Sequence, residues 1–276
     1  MDVRFKLSNL TYKMSLFKLK KHPKFPEEYE VCENTNTYFY RRAKERVYQD
    51  SYFMDEYKSQ YKKTYYEDET NLRQLAKIRL QKLFSIMKLA PTKLLEIGSA
   101  AGFFLDESRA LGFSTKGIEL SPSEALYSKN KLKLDVECIS FFEFESIEKF
   151  RVIACFFVLE HLKEQEKALH KIFSLLDMNG YLLLALPSIF GPSFKTNTVE
   201  WFATHPEDHF VDYSPSSIKK TLNHFGAEIV FMEPMSFHPQ RDKGYLGKFP
   251  LKLFYKQIAK QINYGDTLFL IAKRRS

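Results

Sequence analysis

Short apolar runs alternate with helical patterns from Lys93 to the end of the sequence. The apolar runs predict buried strands, and segments of helical period fit between them. We place strands near residues 93–97, 114–119, 135–139, 151–157, 180–186, 227–232 and 267–273. We place helices near residues 101–111, 122–131, 163–176 and 214–225. Strands that alternate with helices are typical of a layered α/β fold, so the pattern predicts a mostly parallel sheet with helices on both faces.

The N-terminal part of the chain shows a different pattern. Residues 1–37 follow neither a helical nor a strand period, and we expect an arm or loop there. Residues 38–66 carry tyrosines that recur every four or five positions, as a stripe along one side of a helix would. The stripe comprises Tyr48, Tyr52, Tyr57, Tyr61 and Tyr65. It is either an aromatic lid or stacking surface, or a helix that only packs on the main domain. We therefore expect residues 1–68 to form a basic, Tyr-rich arm and helical lid.

Two of the expected helices carry N-terminal capping signals. Asn71 and Gln74 have the spacing of a capping box at the start of an amphipathic helix near residues 71–88. Ser121 and Glu124 have the same spacing around Pro122, a residue that favours the first position of a helix.

The composition limits the class of protein. The chain has 276 residues, of which 44% are hydrophobic, which excludes a disordered or collagen-like chain. Its formal charge of +8 comes largely from the N-terminal third, because residues 1–90 hold 19 basic and 12 acidic residues and the remainder holds 23 and 22. The three cysteines form no Cys-x-x-Cys pair and so exclude a disulfide framework or a four-thiolate zinc site. No apolar stretch approaches the roughly 18–20 residues that cross a bilayer, and we expect a cytoplasmic protein without a membrane span.

Residues 94–105, LLEIGSAAGFFL, carry the clearest chemical signal. A buried strand ends on Glu96, and Gly98 and Gly102 bracket the turn into the next helix. Glu119 ends the second strand, where folds of this kind hold a ribose diol. The spacing predicts a nucleotide-type site. The loop lacks a G-x-G-x-x-G run, and Glu96 would repel a pyrophosphate, so a dehydrogenase is disfavoured. A cationic cofactor with an amino group and a sulfonium suits this carboxylate better.

These segments resemble class I S-adenosylmethionine-dependent methyltransferases of the ubiquinone-biosynthesis-like small-molecule type. The matching stretches are EIGSAAGFFL, GIELSP, FFVLEHL (156–162), LLDMNGYLLLALPS (175–188) and HPEDHFVDYSPSSIKKTLNHFGAEIV (205–230). The resemblance implies a seven-stranded, mostly parallel Rossmann-like sheet with an antiparallel last strand in residues 69–276. Within that domain, residues 233–265 would be an insertion on the substrate side.

The resemblance also implies S-adenosyl-L-methionine as the cofactor and a set of residues that bind it. Glu96, Gly98 and Gly102 would hold the methionine end, and Glu119 the ribose hydroxyls. Phe141 or its neighbours would contact the adenine, and Phe156 the adenosine-sulfonium side. The full expected set is Glu96, Ile97, Gly98, Ser99, Ala100, Gly102, Glu119, Leu120, Phe141 and Phe156.

Three residues depart from the family pattern. Ala100 replaces the usual middle glycine, and Arg151 stands where an Asp is usual. Phe157 stands where some quinone O-methyltransferases have a metal-binding Glu. Because Phe157 breaks that acidic triad, we predict no metal.

The expected reaction is a methyl transfer to a small-molecule or glycan/lipid-precursor acceptor, with oxygen favoured as the methylated atom. An oxygen acceptor needs a base, for which His161 and His209 are the candidates, and either could instead be structural. The tyrosine-rich helix, the 189–213 loop with Trp201 and the 233–265 insertion would roof the acceptor pocket. Their aromatic and basic content suggests an anionic or aromatic acceptor. The sequence does not predict the oligomeric state.

Two other functions stay open at this point. The basic N-terminal third could serve an RNA or other macromolecular acceptor. Against a nucleic acid, the sequence has no recognisable RNA-binding module and lacks the Asn/Asp-Pro-Pro-aromatic tetrapeptide of amino-methylating enzymes. The departures at Ala100, Arg151 and Phe157 would also fit a methyltransferase-like scaffold that no longer turns over.

Overall fold

The computed structural model describes residues 15–45, 57–58, 62–87 and 90–275. In chain order its elements are β1 (Leu19–Lys21), β2 (Tyr29–Cys32), β3 (Tyr38–Tyr40), α1 (Glu69–Ile86), β4 (Lys93–Ile97), α2 (Phe103–Ala110), β5 (Ser114–Glu119), α3 (Pro122–Asn130), β6 (Val136–Cys138), β7 (Phe150–Phe156), a 3₁₀ turn (Leu159–His161), α4 (Gln165–Leu175), β8 (Leu176–Pro187), α5 (Pro192–Thr196), α6 (Thr198–Thr204), β9 (Val211–Asp212), α7 (Pro215–His224), β10 (Ala227–Pro234), a second 3₁₀ turn (Leu251–Phe254), α8 (Tyr255–Ile262) and β11 (Thr267–Arg274).

Seven strands form the main sheet in the order β10-β11-β8-β7-β4-β5-β6. The pairs from β8 to β6 are parallel, and β11 runs antiparallel to both of its neighbours. The central strands are buried on both faces, as their near-continuous apolar runs require. One face is covered by α4 and α7, and the other by α1, α2 and α3. The predicted fold class, including the antiparallel last strand, is confirmed.

The N-terminal region differs from the predicted arm. The strands β1, β2 and β3 form a small antiparallel sheet with β9, where we expected a loop and then a helix. The segment Tyr38–Tyr40 is extended because a tight turn at Asn36, with φ of 65°, folds it back onto β2. Residues 57 and 58 are helical, but Tyr48, Tyr52 and Tyr61 of the proposed stripe lie outside the described residues. The small sheet ties this region to the main domain through the 2.7 Å hydrogen bond from the Tyr29 hydroxyl to Asp212.

Neither predicted capping box forms. Helix α1 begins at Glu69, two residues before Asn71, whose side-chain amide donates to Asp68 instead. Helix α3 begins at Pro122 as predicted, but Ser121 makes no side-chain cap. The Glu124 carboxylate instead accepts the Tyr66 hydroxyl at 3.0 Å, because the chain that precedes α1 crosses over α3. Tyr66, which is distant in sequence, has therefore replaced Ser121 as the partner of Glu124.

The segment between β10 and β11, which we expected to lie on the substrate side, contains α8. Within the described residues, no helix combines the length and the apolar character that crossing a bilayer demands.

Candidate active site at the carboxyl ends of the parallel strands

The loop after β4 is built by left-handed backbone. Gly98 and Gly102 have φ of 71° and 84°, and Ala100 has φ of 45°. The backbone N–H groups of Gly98 and Ser99 both donate to the Ile118 carbonyl at 2.8 and 3.0 Å, which fixes the loop on β5. A Cβ at Gly98 would collide with the Val158 side chain. These glycines are therefore required by the path of the backbone, and they leave that backbone bare at the end of the strand.

Glu119 joins the two loops of this region. One carboxylate oxygen accepts the Ala100 N–H at 2.7 Å and the other accepts the Ser121 N–H at 2.8 Å. Burial raises the pKa of Glu119, although these backbone N–H groups act in the opposite direction. A carboxylate has about four acceptor positions, so Glu119 keeps capacity for a ligand's hydroxyl groups. Glu119 contacts the backbone amide of Ala100 and not its side chain, so this contact does not require glycine at position 100.

Glu96 is buried beside an arginine that sequence reasoning missed. Glu96 is 4% exposed and Arg79 of α1 is 7% exposed. Burial raises the pKa of Glu96 well above its ordinary value, while the Arg79 charge acts in the opposite direction. Burial lowers the pKa of Arg79 to about 10. Among the described residues, Glu96 Oε2 and Arg79 Nε have no hydrogen-bond partner. A carboxyl and a guanidinium with unused polar atoms can accept a zwitterionic group between them.

Aromatic side chains surround this pair. Phe156, at the end of β7, is covered by the Arg79 guanidinium at 4.1 Å from its ring centroid and packs edge-on against Phe104 at 4.9 Å. Tyr65 stacks on Phe103 at 5.5 Å, and nearby Glu96 is one of the charges that raise its pKa, after burial itself. Tyr65 of the predicted stripe therefore lies near the β4 loop, but in a turn that precedes α1.

Two other expected cofactor contacts, Leu120 and Phe141, differ in exposure. Leu120 is 46% exposed beside Glu119, where it can face a ligand. Phe141 is 6% exposed and belongs to the core on the α4 face of the sheet.

His161 lies one strand over, in the 3₁₀ turn after β7. Its Nδ1 is 3.1 Å from the carboxylate of Asp208 and 3.2 Å from the Asp208 carbonyl. Burial lowers the pKa of His161, but the hydrogen bond to Asp208 and the charge of Glu160 outweigh it, so that the pKa is raised. With Nδ1 engaged, Nε2 is the ring atom left for a proton transfer. A carboxylate that orients an imidazole in this way is the arrangement of a general base.

His209 packs on His161, with ring centroids 4.7 Å apart. Burial lowers the pKa of His209, and the neighbouring His161 lowers it further, so His209 stays neutral. Asp212 instead pairs with His205, whose Nε2 is 2.9 Å away. The two histidines that the sequence proposed as bases therefore share one cluster but differ in their partners.

The same cluster contains groups that could hold a metal ion. Donor atoms of Glu160, His161 and His209 lie within 4.8 Å of one another, and so do those of His205, His209 and Asp212. Burial raises the pKa of Glu160 to about 7. The absence of a metal remains a prediction from Phe157 alone.

Phe157 itself is strained and exposed. Its φ of 55° is a conformation that a bulky residue rarely adopts, and the residue is 41% exposed. Its N–H donates to the Ala185 carbonyl at 2.7 Å, which holds the backbone in place. Arg151 lies at the opposite end of β7 and bonds the Met178 carbonyl at 2.8 Å, so that departure is remote from the site.

Sequence reasoning missed Arg79 and Asp208. Arg79 had a signal, since it interrupts the buried stripe that Ala76, Leu80 and Leu83 form on α1. Asp208 had none, because its role depends on β9 bringing its loop beside the turn that follows β7. Trp201 lies in the predicted roof, but its indole N–H donates to the Tyr29 hydroxyl at 3.0 Å within an aromatic cluster.

Known methyltransferases are similar to this chain in sequence and in fold. A family model described as a methyltransferase domain matches residues 65–231. A ubiquinone biosynthesis O-methyltransferase of Rhodopseudomonas palustris strain HaA2 is 25% identical over 172 residues, which cover 58% of this chain and 67% of the relative. One of Xanthomonas euvesicatoria is 23% identical over 191 residues, covering 63% and 79%.

Solved structures share the fold. A methyltransferase of Clostridium acetobutylicum superposes with a TM-score of 0.53 at 11% identity, covering 82% of this chain and 99% of that one. Magnesium protoporphyrin IX methyltransferase of Synechocystis PCC 6803, solved with bound S-adenosylhomocysteine, gives 0.55 at 14% identity, covering 82% and 95%. At these identities the likeness concerns the fold alone. The family match covers most of the chain, and the protein belongs to the methyltransferase domain family, as an enzyme whose cofactor is S-adenosyl-L-methionine.

Proposed function

We propose that the enzyme methylates an oxygen atom of a small molecule with an aromatic or apolar part. When bound, S-adenosyl-L-methionine supplies an electrophilic methyl group on a cationic sulfur. The protein's task is then to align the acceptor oxygen with that methyl group and to remove the oxygen's proton. The observation that carries this proposal is the His161–Asp208 pair at the carboxyl end of β7, one strand from Glu96.

In this proposal Glu96 binds the ammonium of the methionine end and Arg79 binds its carboxylate. The unused polar atoms of both side chains support the assignment, since a buried polar group without a partner is costly until a ligand satisfies it. Glu119 accepts from the ribose hydroxyls with its remaining lone pairs. The main chain from Ile97 to Gly102 lies along the ligand, Leu120 and the Phe141 loop flank the adenine, and Phe156 lies on the sulfonium side.

His161 is the proposed base. Asp208 holds Nδ1 and so directs Nε2 toward the acceptor, and it stabilises the imidazolium that forms when the proton arrives. The side chain is 23% exposed, which gives it access to an acceptor in the cleft. His209 remains neutral and supports the His161 ring by edge contact.

Phe157 is the proposed platform for the acceptor. Its strained backbone projects a large ring at the end of the strand that also carries Phe156, and strain of this kind is characteristic of functional sites. A ring or an apolar chain of the acceptor would stack on Phe157. An anionic group on the acceptor would suit the basic character of the protein. We also propose a cytoplasmic location, which suits three free cysteines.

A turnover assay tests the proposal. The enzyme is incubated with methyl-labelled cofactor and with matched phenols, carboxylated phenols and anilines. We expect label on the phenolic oxygens, a loss of about 10²–10⁴-fold in kcat for His161→Gln, and an unchanged rate for the exposed control His170→Gln. Faster methylation of the anilines, or an unchanged rate in His161→Gln, would show that the base and the acceptor class are wrong.

A further inference from the structure

The segment between β10 and β11 exposes an unusual amount of apolar surface. Six of the large apolar side chains that are exposed in the described part of the chain fall within residues 245–262. They are Tyr245, Phe249, Leu251, Leu253, Phe254 and Ile262. Tyr245 is 85% exposed, Phe249 82% and Leu253 67%. A contiguous apolar group of this kind marks an interaction site more often than a single exposed side chain does.

Cations are interleaved with these apolar residues. Residues 241–262 carry six exposed basic side chains, namely Arg241, Lys243, Lys248, Lys252, Lys256 and Lys260. The only acidic residue in this range, Asp242, is buried and accepts the Gly244 N–H at 2.8 Å. Two of the cations pair with carboxylates outside the range, Arg241 with Asp266 at 3.9 Å and Lys260 with Glu233 at 3.3 Å. The surface of residues 241–262, which we call the basic apolar face, therefore presents the other four cations and apolar groups, and no exposed carboxylate of its own.

The exposed residues of this face are not needed to hold the segment in place. Helix α8 is anchored on its inner side by Tyr255 and Ala259, which are buried and pack with Tyr264. Near the other end, the Lys243 N–H donates to the Thr196 hydroxyl at 3.1 Å, which ties the segment to α5. The fold thus holds the segment from behind and leaves its outer side without apolar cover.

The charge pattern decides between the occupants of this face. A second copy of the chain, related by a two-fold axis, would place the same cations against one another. The cores of protein interfaces are also depleted in lysine, which is abundant here. An anionic bilayer accommodates both the apolar side chains and the cations of this face. Aromatic and aliphatic groups enter the headgroup boundary, and lysines contact lipid phosphates.

We propose that the basic apolar face docks the enzyme on an anionic lipid bilayer. The contact is peripheral, with Phe249 and Leu253 entering the headgroup region and Lys248 and Lys252 at the phosphates. The docked side adjoins α5 and the 189–213 loop, next to the acceptor side of the site, so an acceptor dissolved in the bilayer would reach the cleft from there. The inference goes beyond the proposed methyl transfer and does not depend on it.

Vesicle co-sedimentation tests the proposal with the full chain. One set of vesicles contains phosphatidylglycerol mixed with phosphatidylcholine, and the other contains phosphatidylcholine alone. We expect binding to the anionic vesicles that weakens with added salt, as electrostatic attraction to a surface must. The variant Phe249→Ser/Leu253→Ser and the variant Lys248→Glu/Lys252→Glu should each bind at least about tenfold more weakly.

Matched controls separate the face from general surface properties. Ile147, which is fully exposed elsewhere, is replaced in Ile147→Ser, and exposed lysines of α7 are replaced in Lys219→Glu/Lys220→Glu. Both controls should bind like the parent protein, and all variants should keep the parent Tm. The proposal is overturned if the parent protein does not bind anionic vesicles, or if the variants of the basic apolar face bind as well as the controls. It is also overturned if sedimentation analysis shows a dimer of the parent protein that becomes a monomer in the Phe249→Ser/Leu253→Ser variant.

Discussion

Replacing Glu96 by Gln tests the electrostatics of the cofactor pocket. Burial drives the carboxyl toward its protonated form in the free protein, since the pKa is raised well above its ordinary value. Gln has nearly the shape and the neutral charge of the protonated acid. We therefore expect Glu96→Gln to change the free energy of unfolding of the free protein by less than about 1 kcal/mol.

Cofactor binding should respond very differently. In the proposed complex the ammonium of the methionine end bonds a charged carboxylate, an interaction that contributes about 1.5–3 kcal/mol. Its loss corresponds to a rise in Kd of about 10- to 150-fold. The contrast between an unchanged stability and a weakened affinity is what distinguishes a binding carboxylate from a structural one.

The pH dependence follows with a definite sign. The ammonium binds the deprotonated carboxylate, so the parent protein must release a proton from Glu96 when it binds the cofactor. Affinity should be full above the raised pKa of the free protein and should fall as the pH drops through it. In Glu96→Gln this dependence should disappear.

Isothermal titration calorimetry in buffers with different ionisation enthalpies measures both the affinity and the proton release. Glu160→Gln is the matched control, because Glu160 is also a buried carboxyl but lies on the proposed acceptor side. Its Kd for the cofactor should equal that of the parent. A Glu96→Gln protein that binds within about threefold of the parent, or that still releases the proton, would refute our assignment of this pocket.

Three further predictions concern the acceptor side. Phe157→Gly should raise the free energy of unfolding by about 1 kcal/mol in thermal melts, because Gly adopts positive φ without strain. The same substitution should raise KM for the acceptor. A lower Tm with an unchanged KM would contradict the role of Phe157 as a platform for the acceptor. Although burial lowers it, the pKa of His161 is raised in the parent by its hydrogen bond to Asp208. In Asp208→Asn the acidic limb of the kcat profile should therefore move to lower pH as kcat falls, and a limb at the parent's pH would contradict the proposed His161–Asp208 pair. Dialysis against EDTA should leave turnover unchanged, and a loss that added divalent metal restores would show that the cluster of Glu160, His161 and His209 holds an ion.

The main sheet could be predicted because its signal is local. Each strand is a short apolar run that needs only burial on both faces, and each helix between strands has its own apolar stripe. The β4 loop was also predictable, since the left-handed backbone at Gly98 and Gly102 demands glycine at those positions.

The errors arose where a distant partner replaced a local one. Ser121 and Glu124 have the spacing of a capping box, yet Tyr66 takes the carboxylate. Residues 38–40 became a strand because they pair both with β2 and with β9, and β9 is distant in the sequence. Asp208 was missed for the same reason, since a turn after β7 and a loop before β9 meet only in the folded chain.

Several unsatisfied and strained groups of the described residues lie together, although others, such as Asp242 and Asn263, lie elsewhere. Glu96 and Arg79 have unused polar atoms, and Ala100 and Phe157 hold positive φ, all at or beside the carboxyl ends of β4 and β7. At the opposite end of β7, Arg151 is satisfied by a carbonyl. A stable fold tolerates such costs where a ligand or a reaction offsets them. A scaffold that no longer turned over would have no reason to keep all four costs together, so their concentration favours an active enzyme over that alternative.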